Sequence, residues 1–233
     1  MEWLLAPAFE VFGGTVSRLE LLGALTGLAS VWWAAREKVW TWPIGIVNSV
    51  LFLLLFLDAG LYATASLQVA FIALGVYGWF QWSRGGPAGD ELPVRRTRAR
   101  EWLALGAVAV AAQVAWTTWL VVSTDSTVAF WDSAVLVFSL VATYGQARKL
   151  LESWWIWIVV DTISVPLFLS QGLVATALLY LGFEMICIVG LRDWQRSLRA
   201  RNAALDLTAA GAAGADAATG ADRRPGPEPV EHP

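Results

Sequence analysis

Apolar stretches with few or no charges alternate along the chain with short polar connections, and most have about the 20 residues a helix needs to cross about 30 Å of hydrocarbon. Seven such stretches are predicted as helices, at 18–35, 41–58, 61–82, 102–123, 127–147, 153–170 and 173–193. The connections carry turn chemistry, as in Asp58-Ala59-Gly60 and Gln171-Gly172, and only 83–101, with Gly85-Gly86-Pro87, is a longer polar loop. The first 17 residues show no basic region ahead of an apolar core, so they read as an extracytoplasmic segment rather than a cleaved signal peptide. After Arg201 the chain turns to Ala, Gly, Asp and Pro with no apolar face, and 195–233 is expected to be a disordered cytoplasmic tail.

Basic residues fall on alternate connections. One side receives Arg36 and Lys38, then Arg84, Arg95, Arg96, Arg98 and Arg100, then Arg148 and Lys149, then the arginines from Arg192 onward, while the other receives only Arg18. This predicts an N-outside, C-inside orientation in a cell membrane.

Sliding the chain against itself by 112 residues places Arg36 on Arg148, Trp42 on Trp154, Leu55-Phe56-Leu57 on Leu167-Phe168-Leu169, Gly78 on Gly190 and Trp82 on Trp194. About 17 of the 47 positions from Arg36 to Trp82 are identical under this shift, which marks an internal repeat. Two three-helix units share an orientation only if an extra crossing separates them. The expectation is therefore an all-α membrane protein of seven transmembrane helices in a 3+1+3 parallel-repeat arrangement like that of SWEETs. Its parts are a first repeat at 18–82, a cytoplasmic loop at 83–101, a linker helix at 102–123 and a second repeat at 127–194.

Composition supports the membrane assignment: 57% of the 233 residues are hydrophobic and 15% charged, against about 45–50% and about 25% in soluble domains. A net charge of −3 leaves no broad basic surface, so nucleic acid is not an expected partner. The single cysteine, Cys187, excludes an internal disulfide, and the single histidine, His232, lies in the Pro-rich tail, so no metal site or cofactor is expected.

Trp154, Trp157, Asp161 and Ser164 follow helical spacing and share one face of the sixth stretch. A carboxylate about 10 Å inside the apolar layer is costly and marks a pathway by default. Two indoles beside it suit a flat, positively charged ring through stacking, cation–π attraction and counter-charge. The repeat adds Trp42, Ser49 and neighbouring Asn48 on the second stretch. Gln68, Tyr180 and Glu184 complete the candidate substrate-binding set, and Trp3, Trp40, Trp102, Trp119, Trp131, Trp155 and Trp194 read as an interfacial belt.

The run Trp42-Pro43-Ile44-Gly45-Ile46-Val47-Asn48, the segment Tyr77-Gly78-Trp79-Phe80-Gln81-Trp82, and Trp154-x-x-Trp157 followed by Asp161 resemble PnuC-type vitamin transporters. Leu61-Tyr62 with Gln68, Gly172-Leu173, Ala177, Tyr180 and Gly190 also fit, and the resemblance covers about 19–194. It implies facilitated diffusion of nicotinamide riboside, trapping by a cytosolic kinase, and a homotrimer with one pathway per protomer. It carries the tryptophan motif to Trp154 and Trp157 and a polar position to Asn48. An amide is the more usual residue at the position of Asp161, so thiamine and riboflavin stand as alternative substrates.

No G-x-x-x-x-G-K-[ST] sequence is present for an ATP-driven pump, and the two lysines, Lys38 and Lys149, lie in connections, where no retinal Schiff base forms. Asp161 and Glu184 lack the context of an intramembrane hydrolase. The chain is therefore expected not to be an enzyme, with proton coupling through those two carboxyls a minor alternative.

Overall fold

A computed structural model describes residues 2–11, 14–58, 62–85, 91–123, 129–170, 172 and 174–222. The positions at Gly60-Leu61, Gly86-Pro87, Gln171, Leu173 and His232, named above, lie outside them. The described elements are α1 (Glu2–Leu5), β1 (Pro7–Val11), β2 (Gly14–Ser17), α2 (Arg18–Ala35), α3 (Thr41–Asp58), α4 (Tyr62–Arg84), α5 (Ala99–Ser123), α6 (Ala129–Ala147), α7 (Ser153–Ser170) and α8 (Val174–Asp222).

One expectation about the fold is corrected, and one feature is added to it. The first 17 residues contain an antiparallel hairpin, β1 with β2, paired from Pro7 with Ser17 to Val11 with Gly14. Of the seven long helices, four are long and apolar enough to cross a membrane: Thr41–Asp58, Ala99–Ser123, Ser153–Ser170 and the Val174–Gly211 part of α8. The arrangement is a multi-pass helical bundle, and the seven-span, SWEET-like description is not upheld. The physical reason is that scarcity of charge is not apolarity. Arg18 and Glu20 open α2; α4 carries Gln68, Tyr77, Gln81 and Arg84; α6 carries Asp132, Ser133, Ser139, Thr143, Tyr144 and Gln146.

The chain divides into two units, Met1–Gln195 and Arg196–Pro233. In the second, the chain expected to be disordered is helical as far as Asp222, and every position from 201 to 211 is exposed.

In the first unit, Ser17 caps α2 in a reciprocal box: its Oγ accepts from the Glu20 backbone N–H at 3.1 Å, while Glu20 Oε2 accepts from the Ser17 N–H at 2.7 Å. α3 packs against both α2 and α4, and α6 against α4, α5 and α7. α2 and α6 both stop on a left-handed residue without glycine, Glu37 (φ 55°) and Lys149 (φ 48°). Between α7 and α8 the same conformation falls to Gly172 (φ 75°), the residue that adopts it without steric penalty.

The interior is organised by four tryptophans. Trp42 meets Trp82 edge to face at 5.5 Å, Trp154 meets Trp194 likewise at 5.4 Å, and Trp82 lies 6.0 Å from Trp194. Trp82 Nε1 donates to the Gln146 carbonyl and Trp194 Nε1 to the Ala34 carbonyl, each at 3.1 Å. Gly78 and Gly190 make room for Trp42 and Trp154: a Cβ on Gly190 would lie 2.6 Å from the Trp154 ring, and one on Gly78 would overlap Trp42. Gly190→Ala is therefore expected to lower stability by about 1–3 kcal/mol through overpacking. Gly106→Ala, which would meet nothing within 4 Å, should leave it unchanged or slightly higher. Thermal unfolding of the two variants in detergent checks the contrast.

Candidate functional site

A cavity of about 940 Å³ lies in the first unit and is lined by residues of α2, α3, α4, α6, α7 and α8. Its apolar wall is rich in aromatic rings, with Phe52, Phe56, Phe71, Phe168 and Phe183 beside Trp42, Trp157 and Tyr180, and aliphatic side chains such as Leu21, Leu55 and Leu179 fill the rest. Its charged lining side chains are Glu20 and Asp161, and no Lys, Arg or His is among the lining residues.

Seven of the nine sequence-predicted site residues come together on this wall: Trp42, Asn48, Ser49, Gln68, Trp157, Asp161 and Tyr180. Asp161 is 2% exposed, and the Cys187 thiol donates to its Oδ2 at 3.5 Å. A thiol is a weak donor, which leaves this carboxyl with acceptor capacity for a bound molecule. Asn48 is fixed by its amide: Nδ2 donates to the Gly23 carbonyl at 2.5 Å and to Thr26 Oγ1 at 3.1 Å. Both bonds cross from α3 to α2, so Asn48 positions the wall. Tyr180 is wedged between Phe168 at 4.9 Å and Phe183 at 5.7 Å. The indole N–H groups of Trp42 and Trp157 are buried without an acceptor in the protein.

Two predicted residues stand apart. Trp154 is fully buried against Trp194 and Gly190 and does not line the cavity. Glu184 accepts from Thr162 Oγ1 at 3.0 Å and is likewise absent from the wall. Sequence reasoning missed Glu20, Gln146, Phe183 and Cys187. The available signal was the spacing of Gly23, Gly27 and Ser30, which marks the face of α2 that admits neighbours: Phe52 would meet a Cβ at Gly23, Phe183 and Asn48 one at Gly27.

At one end of the cavity, Ser30 Oγ donates to the Thr41 carbonyl at 2.9 Å and Thr41 Oγ1 donates to the Ser30 carbonyl at 2.9 Å, closing α2 onto α3. Near the α6–α7 connection Tyr77 stacks on Tyr144 at 6.0 Å. Tyr77 first, then Tyr144, holds the Arg148 guanidinium above its ordinary pKa, so it stays charged at any working pH. Among the described residues no group of three or more His, Cys, Asp or Glu is placed to hold a metal ion. An aromatic box with a buried carboxylate and no cation can take a flat ring that is neutral or positive.

Asn48→Ala should cost about 1–3 kcal/mol of stability by removing the two hydrogen bonds that tie α3 to α2, and Asn48→Asp, which keeps the shape but loses the donors, at least as much. Chemical unfolding monitored by tryptophan fluorescence measures both.

The family model described as "Nicotinamide mononucleotide transporter" matches residues 17–196. The "Nicotinamide riboside transporter PnuC" of Escherichia coli (strain K12) is 32% identical over 214 residues, spanning 81% of this chain and 90% of that protein. The "Riboflavin/roseoflavin transporter RibM" of Streptomyces davaonensis is 29% identical over 198 residues, spanning 83% and 92%. A solved structure, "Crystal structure of the Vitamin B3 transporter PnuC", superposes with a TM-score of 0.64 at 21% identity, covering 78% of this chain and 82% of that one, a likeness of fold. The match of the model over 17–196 and the identity to the Escherichia coli protein together place the chain in the PnuC family of membrane transporters.

Proposed function

We propose that the chain carries nicotinamide riboside across the cell membrane by facilitated diffusion, with cytosolic phosphorylation making uptake one-way. The observation that carries this reading is the cavity's chemistry: Trp157 and Asp161 on a wall rich in aromatic rings, and no basic side chain among its described lining residues. A pyridinium ring on an uncharged ribose gains from the indole face and the carboxylate. The phosphorylated form would bring a phosphate toward Glu20 and Asp161 with no Lys or Arg on the wall to receive it, so the nucleoside is favoured over the nucleotide. The name of the Escherichia coli relative points the same way.

Riboflavin is the second reading, favoured by the 29% identity to RibM and by the size of the cavity. The bunching of basic residues at 36–38, 84–100, 148–149 and 192–201 supports an orientation with those segments and the C-terminus in the cytoplasm and the N-terminus outside. Assembly as a homotrimer, with a pathway in each protomer, belongs to the same proposal through the family resemblance.

Purified protein in liposomes, offered labelled nicotinamide riboside, thiamine and riboflavin with and without a proton gradient, tests the reading. Nicotinamide riboside should equilibrate without a concentrative phase, and selective movement of riboflavin or thiamine would replace the substrate. Trp157→Ala should weaken nicotinamide riboside binding about tenfold or more, while Trp102→Ala, on an exposed helix, leaves it unchanged. Asp161→Asn should slow the cationic vitamin more than riboflavin, and the reverse order would remove the counter-charge from the argument.

A further inference from the structure

The two connections that bear the left-handed residues meet. Lys149 Nζ lies 2.8 Å from Glu37 Oε2, with the lysine side chain 3% exposed and the glutamate side chain 22% exposed. The same ammonium sits 4.6 Å from the centre of the Trp82 ring. Trp82 in turn packs on Trp42 and donates to the Gln146 carbonyl, and both Trp42 and Gln146 line the cavity. On the other half Trp194 donates to the carbonyl of Ala34, which also lines it. The ion pair thus stands just beyond the cavity wall, where α2 and α6 end.

We propose that the Glu37–Lys149 pair is the latch that holds this end of the cavity closed, and that its parting opens the pathway there. This rests on the transport reading of the cavity. A buried ion pair is a poor source of net stability compared with apolar packing, but its partners are strongly disfavoured when separated inside the protein. Where separation also carries them to the water around two surface connections, the pair has two favourable states, joined and apart, rather than a continuum. Both residues occupy backbone conformations that side-chain-bearing residues seldom adopt, a strain held in place by the surrounding contacts.

The two sides of the latch are not equally anchored. The Arg95 N–H donates to the Lys149 carbonyl at 3.0 Å and the Leu151 N–H to the Arg95 carbonyl at 2.9 Å. Glu152 receives the Thr97 N–H at 2.8 Å and its hydroxyl at 2.7 Å. These bonds strap the lysine side to the 91–98 segment. Among the described residues the connection holding Glu37 has no such strap, so Glu37 is the moving half.

The only cysteine in the chain, Cys187, lines the cavity and reports access without any substrate. The full chain in liposomes is treated with a charged, membrane-impermeant maleimide on the side of the basic connections, and labelling of Cys187 is timed. E37Q should raise the rate about tenfold. E37Q/K149M leaves no orphaned charge, stays folded by the same reasoning, and should raise it likewise. The swap E37K/K149E should return it toward the starting rate, because Trp194 bonds the Ala34 carbonyl three residues before position 37, as Trp82 bonds the Gln146 carbonyl three residues before position 149. Labelling of folded E37Q/K149M at the unsubstituted rate, or a swap that labels as fast as E37Q, overturns the latch. Because no vitamin enters this measurement, its failure leaves the substrate reading standing, and a wrong substrate leaves the latch standing.

Discussion

Everything in the first unit hangs on a reciprocal clasp between its two halves. An indole near the end of α4 reaches the last carbonyls of α6, and an indole of α8 reaches the last carbonyls of α2, at the same 3.1 Å. Every element of the clasp occurs twice at one offset: Ala34 with Gln146, Glu37 with Lys149, Trp42 with Trp154, Gly78 with Gly190, Trp82 with Trp194. Helix C-termini leave carbonyls without intrahelical partners, and an indole N–H is a donor that brings a large apolar body along with it. One residue type therefore adds a second donor to a carbonyl that already closes the helix end, and also fills the space between the halves. Phenylalanine would do only the second.

The halves agree in the tryptophans and glycines of the clasp and in two aromatic pairs of the cavity wall, Phe56 with Phe168 and Phe71 with Phe183, and they differ in the wall's polar residues. Ser49 corresponds to Asp161 and Gln68 to Tyr180, and all four face the same space. Asp161 and several hydrogen-bonding side chains of the wall, Asn48, Ser49, Gln68 and Tyr180, sit at positions where the two halves differ. Trp157, whose counterpart is Gly45, is another such departure, and both positions line the cavity.

That division explains what could be read from the chain. The repeat was legible because its marks are Trp and Gly, which close packing requires at fixed places. Trp154 was assigned to the cavity by helical spacing with Asp161, but spacing identifies a face and not what the face meets; Gly190 takes Trp154 instead. Trp194 was assigned to the interface because it lies near the end of an apolar stretch, yet it is completely buried, since its N–H has a carbonyl to satisfy inside. Trp3, Trp40, Trp102, Trp119, Trp131 and Trp155, assigned the same way, are exposed. The Glu37–Lys149 contact left no trace, because left-handed turns are usually announced by glycine or asparagine and here neither is present.

The mistaken count of spans and the position of the cavity share one cause. The helices that fall short of the apolarity needed for a crossing are α2, α4 and α6, and these supply Glu20, Ser30, Gln68, Ser139, Thr143 and Gln146 to the cavity. A search for missing charges passes over such residues, because neutral polar side chains do not interrupt it. A search for where their hydrogen-bonding groups are satisfied would have found the hollow, since polar groups on an apolar helix must face one another, a backbone, or a space that admits water or a ligand. α5 shows the contrasting case. It is apolar throughout most of its length and largely exposed, its Gln113 bonds to Thr117 and to the Phe130 carbonyl on neighbouring α6, and it contributes nothing to the cavity. The neutral polar residues of α2, α4 and α6 thus record contact with the cavity, while apolar α3, α7 and α8 reach it through a few polar positions, among them Asn48, Ser49, Asp161 and Tyr180.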